Sequence, residues 1–218
     1  MAQVFHRSIN WLARFSIIAV IAVVGLLFGI LLNINRIDYV SEVGVAIDQP
    51  VPFSHKHHVE AIGIDCRYCH TSVEESAFAG IPPTETCMTC HSLVWTEAPP
   101  LEPIRASWRD ETNIEWNRVH DLPDFVYFRH NIHIAKGIGC TSCHGAINEM
   151  PLVKIENALN MEWCLDCHRN PEQYIRPRES VFDVHWTPPA DQEAQGLRLV
   201  EEYDVRVSQL TDCSVCHL

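Results

Sequence analysis

No cysteine in this chain stands alone. All 10 fall in five C-x-x-C-H pentads: Cys66/Cys69/His70, Cys87/Cys90/His91, Cys140/Cys143/His144, Cys164/Cys167/His168 and Cys213/Cys216/His217. A disulfide framework has no reason to set a histidine after every second cysteine, so that reading fails. Structural zinc sites pair two C-x-x-C knuckles, or one knuckle with a distant histidine pair, and make no use of an adjacent histidine either. Basic charge is also scarce: 16 Lys and Arg stand against 28 Asp and Glu, a formal net charge of −12. Nucleic-acid binding needs a basic footprint, which this composition lacks. An acidic surface serves solubility and can steer a basic partner. Apolar runs are short apart from Phe15 to Leu32, and no small-residue cleavage site follows that run in L-L-N-I-N-R-I-D. A signal-peptide core is usually about 7–15 residues with such a site, which argues against a removed leader.

What is present begins with that run. Its uncharged residues reach the length of a transmembrane helix. It reads as an uncleaved signal anchor. Arg7 and Arg14 precede it and only Arg36 follows closely, so the positive-inside rule puts the N-terminus in the cytoplasm. The expected organisation is therefore residues 1–33 as cytoplasmic N-terminus and transmembrane anchor, with residues 34–218 as the globular part.

C-x-x-C-H is the attachment signature of c-type haem. Each thiol forms a thioether to one haem vinyl group, and the histidine ligates the iron. Five motifs without a spare cysteine imply five covalently bound haem c groups, attached through Cys66, Cys69, Cys87, Cys90, Cys140, Cys143, Cys164, Cys167, Cys213 and Cys216. Haem c is attached outside the cytoplasm, so the globular part is expected on the periplasmic face of a bacterial cytoplasmic membrane. About 37 residues per haem is too little for a large polypeptide core. The expected fold is a mostly irregular and α multihaem cytochrome c. Short helices carry the motifs, long loops join them, and there is little β structure.

The chain repeats internally. P-F-S-H-K-H-H-V-E-A-I-G-I-D-C from Pro52 matches Y-F-R-H-N-I-H-I-A-K-G-I-G-C from Tyr127, pairing Phe53 with Phe128, His55 with His130 and His58 with His133. Each copy runs into one motif, with a second motif 21 or 24 residues later. This predicts a haem pair at 51–92, a packed irregular connector rich in Trp and Pro at 93–126, a second pair at 127–169 and a fifth haem at 170–218. Within the last part, Gln192 to Gln209 reads as a surface helix.

Five proximal ligands follow from the motifs: His70, His91, His144, His168 and His217. His6 lies before the anchor and cannot reach a haem. The candidates for the opposite face are His55, His58, His120, His130, His133 and His185, with His57 weaker because it points away from its neighbour. Residues three apart share one helix face, so H-x-x-H can serve two neighbouring irons from one turn. His55 is expected at haem 1 and His130 at haem 3, with His58 and His133 serving the partner haems. Methionine competes, since a His/Met haem has a raised potential. Met150 and Met161 are the candidate sulfur donors, while Met88 lies inside its own motif.

Six-coordinate haems leave no position for a substrate, so electron transfer is the expected task. No lysine replaces a motif histidine, unlike the C-x-x-C-K motif of pentahaem nitrite reductases. Three classes remain: an electron-transfer subunit of a larger complex, a stand-alone quinol dehydrogenase, or a terminal reductase with one open haem. The uncharged anchor offers no obvious proton acceptor for quinol chemistry.

The H-x-x-H followed by C-x-x-C-H is similar to the class III, low-potential multihaem cytochromes. More specifically, W-N-R-V-H-D-L-P-D-F-V-Y-F-R-H-N-I-H (Trp116 to His133) and M-E-W-C-L-D-C-H-R-N-P (Met161 to Pro171) resemble the pentahaem cytochrome c subunit of alternative complex III. The likeness extends to the anchor and the duplicated pairs. It implies a non-enzymatic subunit of a quinol:electron-acceptor oxidoreductase. Quinol is then oxidised in polysulfide-reductase-type membrane subunits. Electrons pass through the iron–sulfur clusters of a molybdopterin-type subunit. The pentahaem chain hands them to a monohaem cytochrome c subunit, a periplasmic cytochrome c or a blue copper protein. The other membrane-anchored quinol dehydrogenases often show a methionine shortly after their first haem motif, where this chain reads C-H-T-S-V.

If the anchor only tethers, replacing the residues before Asn33 with a cleaved signal is expected to yield a soluble protein. Intact mass should show it carrying every haem of the full chain. Loss of haem from that product would show that the anchor does more.

Overall fold

The structure, a computed structural model, describes residues 6–34 and 37–217. Arg36, used above for the charge bias, lies outside the described residues, as do residues 1–5 of the expected cytoplasmic N-terminus and Leu218. The chain divides into two compact units, Met1–Val43 and Gly44–Leu218.

The first unit is dominated by helix α1, Arg7–Ile34. At 1.5 Å per residue it is about 42 Å long, more than the hydrocarbon core of a bilayer. It buries none of its residues, and Trp11, Phe15, Ile21 and Phe28 all stand exposed. A helix that is apolar all round needs a protein core or lipid around it. Among the described residues α1 is the one helix long and apolar enough to cross a membrane, and it fits a single-pass anchor.

The second unit has no sheet among the described residues; β pairing is limited to two isolated antiparallel bridges, Ala46–Lys154 and Ile138–Ile175. Each motif sits on a short helix: α2 (Cys66–Cys69), α3 (Thr84–His91), α6 (Cys140–His144), α7 (Met161–Arg169) and α9 (Cys213–Cys216). Helices this short do not persist alone in water and need fixed ends or tertiary contacts. Asp65 caps α2 by accepting the Arg67 backbone N–H at 2.8 Å and pairing with its guanidinium. Asn160 caps α7 by accepting the Trp163 N–H at 2.9 Å.

The connector is less irregular than its composition indicates. It contains helix α4, Glu102–Asp110, entered through a 3-10 turn at Pro99–Leu101. Proline is favoured in a first helical turn, where its missing N–H costs nothing. Glu102 pairs with Arg105 at 2.8 Å. The buried Ser107 bonds to Thr84 at 2.7 Å and locks α4 against α3. The last stretch also differs from its expectation. Helix α8 covers only Gln192–Glu202 and is not a free surface helix, since Gly196 and Leu199 are buried. Asp204, at φ 49°, ends the helical path. Leu199 and Tyr203 form a small core with Ile175, flanked by Ile138, Val200 and Val205.

Only eight hydrophobic side chains are buried among the described residues. A polypeptide core of that size is far below what a domain of this length normally buries. The deficit fits a fold in which flat apolar groups held between the motifs supply the missing interior.

Gly196 marks the tightest packing in this unit. A Cβ there would lie 1.8 Å from the Glu172 carbonyl oxygen. Gly196→Ala is expected to lower stability by about 1–3 kcal/mol, the usual range for overpacking. Chemical denaturation of the detergent-solubilised chain would measure this, and an unchanged midpoint would contradict it.

Candidate haem centres

Local geometry begins with the two H-x-x-H segments. Helix α5, His130–Ala135, carries the second. The first is a π-helical turn, Lys56–Ala61, entered at His55. The reason is a one-residue difference in length: five residues reach from His58 to Gly63, and four from His133 to Gly137. A π turn absorbs one extra residue without breaking the helix. Both copies then close alike. Gly63 and Gly137 adopt φ 78° and 80°, a conformation glycine enters at no steric cost. The next N–H returns to the second histidine's carbonyl, Ile64 to His58 at 3.1 Å and Ile138 to His133 at 2.9 Å.

A phenylalanine brackets each pair of imidazoles. Phe53 meets His55 edge-on at 4.9 Å and stacks on His58 at 4.4 Å. Phe128 repeats this with His130 at 4.7 Å and His133 at 4.5 Å. These positioning residues were visible in the sequence as matched positions, without an assigned role.

Four motif histidines face a second histidine. Ring centroids lie 6.5 Å apart for His55 and His70, 6.2 Å for His58 and His91, 6.4 Å for His130 and His144, and 6.2 Å for His133 and His168. The His55/His70 and His130/His144 planes are parallel within 2°. Two imidazoles bound to opposite sides of one metal, each at a bond of about 2.0–2.1 Å, place their centroids roughly 6–6.5 Å apart. The donor set therefore fits an iron held between each pair. Most of the outer nitrogens are already committed. Nδ1 of His70, His91, His168, His58, His130 and His133 donates to the carbonyls of Gly80, Val94, Leu210, Ser54, Ala77 and Arg129. Such a bond fixes the tautomer and frees Nε2 for a metal. Burial, reinforced by neighbouring histidines, pulls His55 down to a pKa of about 4 and His144 to about 3. Both imidazoles are thus neutral, as a ligand must be.

None of the cysteines is paired in a disulfide. Burial pushes Cys143 up to about 11 and Cys167 up to about 12, and Cys140 rises through its hydrogen bond to Cys66 and its burial. No cluster of three or more His, Cys, Asp or Glu suited to a metal ion occurs among the described residues.

Contacts place neighbouring motifs in the order 2, 1, 3, 4, 5. Tyr68 of motif 1 bonds to Thr89 of motif 2 at 2.9 Å. Cys66 of motif 1 meets Cys140 of motif 3. Helix α5 supplies the histidines facing motifs 3 and 4. His168 of motif 4 donates to Leu210, just before motif 5.

The remaining candidates are not placed across a motif. His120 lies behind His144, its Nε2 3.3 Å from the His144 Nδ1. His185 is exposed and its Nε2 sits 3.4 Å from Glu60. Met150 is buried, and its carbonyl accepts the Lys56 N–H at 3.1 Å. Met161 is 68% exposed at the start of α7. His57 stacks on Trp95. Among the described residues no histidine ring faces His217, whose Nδ1 donates to Phe125 at 2.9 Å. Arg176, which no sequence signal marked, is 3% exposed. It reaches Thr141 and Ser142 of motif 3 and lies over Trp186.

With this geometry in hand, residues 126–218 match the family model described as cytochrome c7 and related cytochrome c. A c-type cytochrome binds its haem covalently. The chain is 37% identical over 98 residues to the menaquinone reductase multiheme cytochrome c subunit of Nitratidesulfovibrio vulgaris, covering 44% of this chain and 46% of that protein. It is 25% identical over 112 residues to the acrylate reductase cytochrome subunit of Shewanella woodyi, covering 51% of this chain and 69% of that protein. The chain thus spans about half the length of the first of these relatives.

His130→Met is expected to leave motif 3 loaded while raising one component of the redox titration, because only the axial donor changes. An unchanged titration would remove His130 from the ligand set.

Proposed function

We propose that this chain is a membrane-anchored pentahaem conductor that carries electrons between a quinone-linked membrane complex and a carrier outside the cytoplasm. The observation that supports it best is the set of four facing histidine pairs at 6.2–6.5 Å. At these four motifs an iron filled on both faces would bind no substrate, which favours conduction over catalysis there. Bound haem c supplies the one-electron iron couple.

The chain's own residues set where and how firmly that couple is held. Cysteine pairs on short helices fix each attachment point. Backbone carbonyls hold the imidazole tautomers, and Phe53 and Phe128 hold their planes. Contacts link successive motifs of the run, so little polypeptide separates them in space. The run of motifs 2, 1, 3, 4, 5 has two ends, suited to one donor and one acceptor.

The sequence resemblance favours a particular setting, the pentahaem subunit of alternative complex III. Electrons then arrive from iron–sulfur clusters of a molybdopterin-type subunit after quinol oxidation in polysulfide-reductase-type membrane subunits. They leave to a monohaem cytochrome c subunit, a periplasmic cytochrome c or a blue copper protein. The likeness to a menaquinone reductase subunit favours a second reading, in which electrons enter through the haems and leave toward quinone.

Gentle detergent extraction with mass spectrometry of the co-purifying chains tests the setting. Iron–sulfur and multi-span membrane subunits are expected, with haem reduction by menaquinol in the first reading and haem oxidation by menaquinone in the second. A lone cytochrome that menaquinol reduces directly would make this chain a quinol dehydrogenase instead.

A further inference from the structure

Motif histidines share one habit. Nδ1 of His70, His91, His168 and His217 donates to a backbone carbonyl at 2.7–3.2 Å. His144 departs from it: its Nδ1 faces another side chain, the Nε2 of His120, at 3.3 Å, with the two rings perpendicular at 4.4 Å. On the other side of His144 lies His130, parallel within 2°. His120 is half-buried and its segment is pinned in place. Asn117 donates to the Asp48 carbonyl at 2.6 Å and exchanges two bonds with the Gln49 side chain at 2.7 and 3.0 Å. Arg118 pairs with Asp121 at 2.7 Å and lies over Phe78. Anchors on both sides of His120 thus hold it against His144.

We propose that His120 is a positioning residue for haem 3: its Nε2 accepts the His144 Nδ1–H, fixes the plane and tautomer of that ligand, and lowers the potential of the iron it binds. This rests on the haem reading above. The physical reason is that an acceptor on the outer nitrogen gives the imidazole partial imidazolate character. Its inner nitrogen becomes a stronger donor, which favours the oxidised metal. An imidazole nitrogen is a better acceptor than an amide carbonyl, so motif 3 receives a donor different in kind from the other four. Since motif 3 stands mid-way in the run of motifs, a change there alters every transfer along the chain.

The test compares full-length holoprotein in detergent with His120→Phe and His120→Gln. Phe keeps a ring and removes the acceptor. Gln places an oxygen where Nε2 stood. In His120→Phe the component that also moves in His130→Met should shift upward by about 59 mV, a tenfold change in its reduction constant. Haem number should be unchanged and the electron paramagnetic resonance spectrum should gain no high-spin signal over that of the wild type. His120→Gln, whose amide oxygen is the weaker acceptor, should shift the same component upward by less than His120→Phe does. An unmoved potential in His120→Phe would overturn the proposal. So would a high-spin signal in either variant that the wild type lacks, which would make His120 an axial ligand itself. Should His120→Phe fail to load haem, His120→Gln carries the test alone: an upward shift smaller than about 59 mV with no new high-spin haem is then required, and an unmoved potential would overturn the proposal. The haem count of the wild-type chain, read from its intact mass, tests the underlying haem reading separately.

Discussion

The span from one imidazole to the next across each motif is the constraint on which the second unit depends. A gap of 6.2–6.5 Å between two rings cannot be held by the rings themselves. It is held by carbonyls behind them, by phenylalanines beside them and by the short helices on which the cysteines sit. Much of the unit's small protein core lies under one flank, around Ile175, Leu199 and Tyr203. The polypeptide thus acts as a set of brackets, and the brackets are rigid where they touch the histidines.

The duplicated segments show how exacting that requirement is. The first copy has one residue more than the second, yet both return to the same glycine conformation and the same closing hydrogen bond. The extra residue is taken up in a π turn, the least costly place to hide it without moving His55 and His58 relative to Phe53. The repeat conserves an arrangement of rings, and the helix type varies to preserve it.

Electrostatics separates motif 3 from the others. Its proximal histidine is backed by a side chain, and the buried guanidinium of Arg176 sits behind its C-x-x-C loop. Gly139 is a glycine because that guanidinium lies where a Cβ would be. A buried cation without a carboxylate partner is costly, and here it is offset by hydroxyls, a carbonyl and the face of Trp186. The two groups act in opposite senses, the cation favouring the reduced metal and the backing acceptor the oxidised one.

Residue spacing alone carried the reading of the attachment chemistry, the apolar anchor helix and the doubled H-x-x-H design, because each is local: two thiols three positions apart, an uncharged run, two imidazoles on one turn. It also led to an irregular, sheet-free fold, through the small share of chain left for each motif. It misjudged α4, whose signal lay in Pro100, Glu102 and Pro103 rather than in apolar periodicity, and it extended α8 past Asp204, where the backbone turns left-handed. That His120 backs His144, that His185 turns to Glu60 and that the motifs run in the order 2, 1, 3, 4, 5 were decided only by tertiary structure. Those choices depend on contacts between segments far apart in the chain, such as Asn117 with Asp48 and Ala77 with His130, and no local pattern encodes them.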